Sequence, residues 1–172
     1  MDVRVGDWVV TPRHGKPVEI NALWYNALKV MEGLAARFHE DSHTYCELAK
    51  KVCSSFGQKF WNSKDNCLYD VIDGETKDAD IRPNQIYAVS LPYTMLSPEQ
   101  QRAVVDTVSR SLYVGCGLRS LSPDNREYHP VYCGSLPKRD AAYHQGTAWG
   151  YLLGGYITAY LKVYGHTPDS VA

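Results

Sequence analysis

The sequence predicts an all-α domain of about five helices, an array of helical hairpins with its functional groups gathered at one end. Three observations lead there. Apolar residues return at i, i+3 and i+4 over 18–39, 42–56, 98–113 and 150–164. Polar clusters, Arg82-Pro83-Asn84-Gln85 and Tyr143-His144-Gln145-Gly146-Thr147, stand just ahead of apolar runs, so they are expected on loops at helix starts. No self-similarity at a period of about 20–50 residues marks a solenoid.

Residues 1–17 hold Gly6, Pro12, Gly15 and Pro17 and have no period, which reads as a loop or extended arm carrying an apolar patch at Trp8, Val9 and Val10. The first helix is expected over 18–39, with Pro17 at its start and a broad apolar stripe of Ile20, Leu23, Trp24, Ala27, Leu28, Val30, Met31, Leu34 and Ala35. Glu19 falls in its first turn, where it either answers the helix dipole or serves chemistry. A second amphipathic helix over 42–56 is expected to stop at Gly57 and to pair antiparallel with the first.

Residues 60–74 read as a short hairpin or irregular excursion ending in the Asp73-Gly74 turn. Over 79–93 a polar cluster leads into a short apolar helix, and Pro83 holds Arg82 out of the helical region. Arg82 either aims its side chain from this loop or holds the loop through a buried pair with Asp80. Ser97 is the expected cap of a helix over 98–113, which Gly115-Cys116-Gly117 ends. Residues 118–139, with Pro123, Pro130, Gly134 and Pro137, read as one long loop with a brief strand at 118–121, and loops of that length in compact domains are commonly functional. The polar stretch 139–149 then feeds a last helix over 150–164, with Thr147 as its cap and Gly146 letting the chain turn or a ligand approach. His144 and Gln145 are expected to face a cavity or solvent, while Trp149 reads equally as site or core.

Composition narrows the function. The 172 residues, 44% hydrophobic and 22% charged, suit one soluble globular domain. A net charge of −1 without clustered Lys and Arg argues against a nucleic-acid or anionic-membrane partner. No secretory signal and no membrane-length apolar run is present, which points to the cytoplasm. Five cysteines without a C-x-x-C pair read as reduced thiols, and the His39/His43 pair lacks the partners of a zinc site; neither metal nor cofactor is implied. The 13 Tyr and 4 Trp against 3 Phe fit surfaces that are apolar and hydrogen-bonding at once, as sugars require, though each is individually compatible with a core edge. No G-x-S-x-G and no phosphate loop occurs.

Thr11-Pro12-Arg13, the run from Gly15 to Asn26, Arg82-Pro83-Asn84-Gln85, Leu118-Arg119-Ser120-Leu121 and Tyr143-His144-Gln145-Gly146-Thr147 together resemble the C-terminal catalytic domain of glycogen debranching enzymes. Five motifs in matching order cover nearly the whole chain; Ala148 stands where eukaryotic members carry a Glu, so the bacterial type is the nearer comparison. The resemblance implies an (α/α)6 six-hairpin barrel, about half of it present over residues 1–172, that hydrolyses α-1,6-linked branch-point glucose in glycogen with inversion. It implies Asp2 as general acid, in a family Trp-Met-Asp segment whose Trp is missing here, with Glu19 a second candidate carboxylate. The base of such a mechanism is expected beyond Ala172, so the chain is expected to be a fragment or split gene product, completed by the remainder of the barrel. Trp8, Arg13, Arg82, Asn84, Tyr143, His144, Gln145 and Trp149 carry over as sugar-binding candidates, with glycogen or an α-glucan oligosaccharide as partner. The rival reading is a glucan-binding module without turnover. Half a barrel would leave apolar helix faces uncovered, which predicts association.

Overall fold

The computed structural model describes residues 4–166. Among these described residues six α-helices form the frame, one more than expected, and nine strands of two or three residues pin the connections between them. Such strands are too short for a period-two signal, so the sequence did not announce most of them.

The N-terminal arm is a hairpin, β1 (Arg4–Val5) against β2 (Trp8–Val9), and β3 (Lys16–Pro17) follows. Helix α1 (Val18–Arg37) begins after extended Pro17, as expected. It ends in a Schellman turn: His39 takes φ +61°, its N–H donates to Ala36 O, and Glu40 N–H donates to Ala35 O at 2.8 Å. Of the expected apolar stripe of α1, only Leu28 and Ala35 meet the core. Val18, Ala22, Asn26, Leu28 and Ala35 are buried, whereas Ile20, Leu23, Trp24, Val30, Met31, Leu34 and Phe38 are exposed. Apolar residues line two opposite faces of this helix, and periodicity reported the outer one.

Helix α2 (His43–Phe60) packs on α1 across a short connection and runs through Gly57 instead of stopping there. Phe60 is buried and its ring stacks on Phe56 at 4.7 Å, an i, i+4 contact that requires the helix to continue. The excursion that follows is ordered as expected: β4 (Trp61–Asn62) pairs with β5 (Cys67–Leu68), and β6 (Val71–Asp73) lies between β3 and β7 (Thr76–Asp78). Gly15 makes the β3–β6 approach possible: at φ +99°, a Cβ there would lie 2.4 Å from Ile72 O.

The 79–93 segment forms a 3₁₀ turn, Pro83–Ile86, running into α3 (Tyr87–Ser90). Helix α4 (Pro98–Ser111) opens with a full capping box: Ser97 Oγ accepts from Gln100 N–H while Gln100 Oε1 accepts from Ser97 N–H. Within the expected long loop, β8 (Leu118–Arg119) and a further helix, α5 (Leu136–Tyr143), take shape. Pro137, read as a breaker, sits in the first turn of α5, the position a helix tolerates best. β9 (Ala148–Trp149) pairs with β8, and α6 (Leu153–Tyr164) closes the described fold.

The core is a single cluster shared by α1 to α4 and α6, built on Val18, Phe56, Ile86, Val104, Val108, Leu152 and Tyr156. Helix α3 is short but central: it touches α1, α4 and α6. Asn26 locks α1 to the chain after α3, donating to Tyr93 O at 2.8 Å and accepting from Tyr93 N–H at 2.9 Å. Among the described residues no helix is long and apolar enough to cross a membrane.

Candidate active site

Asp2, the expected acid, lies outside the described residues. The other candidates fall into two groups, an ion-pair network and an aromatic patch.

The network starts where β3 enters α1. Arg13 forms a bidentate pair with Glu19, at 2.6 and 2.8 Å, and a second with the carboxylate of Asp70, at 2.6 and 3.0 Å. One planar guanidinium thus serves two carboxylates, a geometry that lysine cannot supply. Asn84 Nδ2 adds a hydrogen bond to Glu19 Oε1 at 3.0 Å. Burial alone would raise the Glu19 carboxyl, but these donors hold it below its ordinary range, so at neutral pH it is an anion and a weak base with acceptor capacity left over. Asp70 is almost wholly buried between β5 and β6, and burial pushes its carboxyl up to about 6 against the pull of Arg13 and Arg82.

Arg82, 4% exposed, occupies the middle. Its Nη2 donates to Gln145 Oε1 at 2.8 Å and to Asp80 Oδ2 at 3.1 Å, and its Nη1 donates to the carbonyls of His144 at 2.8 Å and Ser120 at 3.3 Å. Of the two sequence readings of Arg82 the pair with Asp80 is present, and the same side chain also braces a second cluster. Asn125 steadies Asp80 in turn, at 2.5 Å. Gln145, expected to face a cavity or solvent, is buried instead, because the buried guanidinium of Arg82 needs an acceptor.

The third cluster is arranged differently from expectation. Thr147 does not cap α6, which begins at Leu153 with no side-chain cap; its hydroxyl donates to Ala142 O at 2.8 Å and satisfies the last turn of α5. Gly146, at φ +147°, lets two chain segments meet, since a Cβ there would lie 2.4 Å from His129 O. Tyr143 is the hub of the aromatic patch, 4.7 Å from Trp149, 4.6 Å edge-on from His144 and 5.8 Å from Tyr132. Trp149 Nε1 donates to Tyr143 O at 3.0 Å, and the indole is half-buried, part patch and part core edge. Burial, with Arg82 and Arg13 nearby, pushes the His144 imidazole down to about 4, so it is neutral at pH 7 and free to donate from one nitrogen and accept at the other. Trp8 is 52% exposed and joins no aromatic pair among the described residues.

Three residues of this region escaped the sequence reading. Asp70 stands alone in Tyr-Asp-Val, and only folding brings it to two arginines; the one available signal was that Arg13 and Arg82 needed counter-ions. Asn125 was hidden in the long loop. Tyr151 is largely exposed, yet its hydroxyl is raised, first by partial burial and then by the nearness of Tyr87 and Glu19. Among the described residues no group of three His, Cys, Asp or Glu side chains is placed to hold a metal ion.

A family model described as amylo-alpha-1,6-glucosidase matches residues 1–172. The glycogen debranching enzyme of Saccharomyces cerevisiae is 24% identical over 186 residues, which cover 87% of this chain and 12% of that protein. The crystal structure of a GH63 mannosylglycerate hydrolase from Thermus thermophilus in complex with Tris superposes with a TM-score of 0.66 at 15% identity, over 87% of this chain and 34% of that one. That likeness shows a shared fold. The chain spans about an eighth of the yeast protein and about a third of the bacterial one.

Proposed function

Because the chain belongs to the amylo-alpha-1,6-glucosidase family, we propose that it is part of a glycoside hydrolase barrel of six helical hairpins that removes α-1,6-linked glucose from glycogen branch points in the cytoplasm, with inversion. The observation that carries this reading is the joining of three sequence-distant motifs, around Arg13, Arg82 and Gln145, into one buried network beside an aromatic patch. Paired carboxylates and guanidinium groups hold hydroxyl pairs in fixed directions, and aromatic faces cover the apolar side of a sugar ring. Asn84, Glu19, His144 and Tyr143 then bind the sugar, with Trp149 and Trp8 as stacking faces.

In this reading Asp2 protonates the leaving glycosidic oxygen. Water attacks the anomeric carbon from the other side, activated by a carboxylate about 6.5–9.5 Å from the acid. Glu19 does not fit that second role, since both its oxygens are engaged by Arg13; it orients Arg13 and accepts from a sugar hydroxyl. The base comes from the remainder of the barrel. The outer stripe of α1, from Ile20 to Phe38, supports such a remainder, because apolar side chains on two opposite faces suit a helix covered on both sides.

The same clamp on Glu19 favours a second reading, a chain that binds glucan without turning it over. Glucose release from a phosphorylase-limit dextrin by the chain together with the remainder of the barrel, with glucan binding followed in the same samples, separates the two. Release that disappears in Asp2→Asn supports the hydrolase. Binding without release supports the second reading, and neither binding nor release overturns both.

A further inference from the structure

We propose that Asp70 is a positioning residue of this site, the shared counter-ion that fixes the Arg13 and Arg82 guanidinium groups and, through them, every sugar-facing group they hold. The inference deepens the sugar-binding reading and rests on it for the identity of the ligand.

The geometry is specific. Asp70 Oδ2 lies 2.6 Å from Arg13 Nε and 3.9 Å from Arg82 Nε, so a single oxygen is approached by both guanidinium groups. Arg82 Nε has no hydrogen-bond partner, and it and Thr11 Oγ1 are the buried side-chain polar atoms in that state among the described residues. A buried donor is costly when left unmet, and the carboxylate of Asp70 is the anion facing this one. Of the other nitrogens, Arg13 Nη1 goes outward to Glu19 and Nη2 is shared between Glu19 and Asp70, while those of Arg82 go to Asp80, Gln145 and the backbone at His144 and Ser120.

The backbone of Asp70 is equally fixed. Its carbonyl accepts from Val18 N–H at 2.9 Å, at the start of α1, and its N–H donates to Asp78 O at 2.9 Å. With its side chain 2% exposed, Asp70 cannot touch a substrate. Its effect on one must pass through the arginines: without its charge, Arg13 is tethered on the Glu19 side alone and Arg82 loses its inner anchor.

Side-chain NMR of the arginine Nε–H groups tests this without any sugar. In the wild-type chain both Nε–H groups are expected to exchange slowly with solvent, and in Asp70→Asn both resonances are expected to shift and exchange faster. An Arg82 Nε–H that exchanges fast in the wild type, or stays unmoved in Asp70→Asn while that of Arg13 moves, overturns the shared counter-ion. The wild-type measurement stands even if the variant does not fold. Malto-oligosaccharide titration of the same samples then tests positioning. Affinity in folded Asp70→Asn is expected to fall about tenfold or more, the scale of losing an aligned charge-assisted contact. Unchanged affinity with both arginines disturbed overturns the positioning role, and a wild type that binds no glucan defeats the sugar reading while leaving the arginine result to be judged by itself.

Discussion

Arg82 donates to the side chain of Gln145 at 2.8 Å across 63 residues of chain, and both groups are buried. This bond ties the 3₁₀ turn ahead of α3 to the loop after α5. Arg82→Ala would leave Asp70, Asp80 and Gln145 facing an empty guanidinium site, and removing one partner of a buried pair costs about 3–5 kcal/mol. Arg82→Lys keeps the charge but cannot reach the four acceptors that the fork reaches, and is expected to recover less than half of that loss. Urea unfolding of the three chains measures both.

His144 sets a pH dependence with a definite sign. Its ordinary pKa is 6.5, and in the fold it is pushed down to about 4 by burial and by Arg82 and Arg13. As pH falls through 6.5 the unfolded chain takes up a proton that the folded chain refuses until about pH 4. The contribution of His144 is thus fully present above pH 6.5 and is lost between there and about pH 4. Relative to His144→Gln, the wild type should be more stable at pH 7.5 than at pH 4.5. Thermal unfolding of both proteins at the two pH values checks this, and a constant difference would contradict it.

Gly146→Ala should destabilise the junction of α5 with the 120s loop. The alanine would take φ +147° with its Cβ against His129 O, a strain of about 1–3 kcal/mol, and one of the two segments would have to give way. Hydrogen exchange at His129, whose N–H donates to Gln145 O at 2.6 Å, should rise first.

The outer face of α1 predicts association. Trp24, Met31, Leu34 and Phe38 stand exposed along one stripe. Sedimentation of the isolated chain should show concentration-dependent self-association that Met31→Glu with Phe38→Glu abolishes. At exposed positions these changes should alter stability by only about 0.5 kcal/mol each. A wild-type chain that stays monomeric at high concentration would contradict the expectation.

The helices were legible because their buried faces span several turns, and Ser97 with Gln100 announced the start of α4 in the residue pattern alone. What failed did so for physical reasons. The period of α1 was correct, but of its stripe only Leu28 and Ala35 are buried, since a helix apolar on two faces gives no sign of which one meets the core. Gly57 was overruled by Phe60, whose burial outweighs the helix propensity of one glycine. Helix α5 was masked by Pro137, which breaks a helix interior but suits a first turn. The candidate site was legible as three polar clusters, of which Arg13, Glu19, Arg82, Asn84 and Gln145 meet in one network. Asp70 stayed invisible because a lone carboxylate acquires meaning only from what folding brings beside it.

The most direct test of the proposal that this network binds sugar is the indole N–H spectrum of the four tryptophans during titration with a malto-oligosaccharide. Trp149 belongs to the patch around Tyr143 and Trp8 to the N-terminal arm, whose β1 packs on α5, whereas Trp24 lies on the outer stripe of α1 and Trp61 packs against the core. The account predicts saturable shifts at Trp149, with Trp8 following, while Trp24 and Trp61 stay still. Shifts confined to Trp24 or Trp61, or none at any of the four, would contradict it.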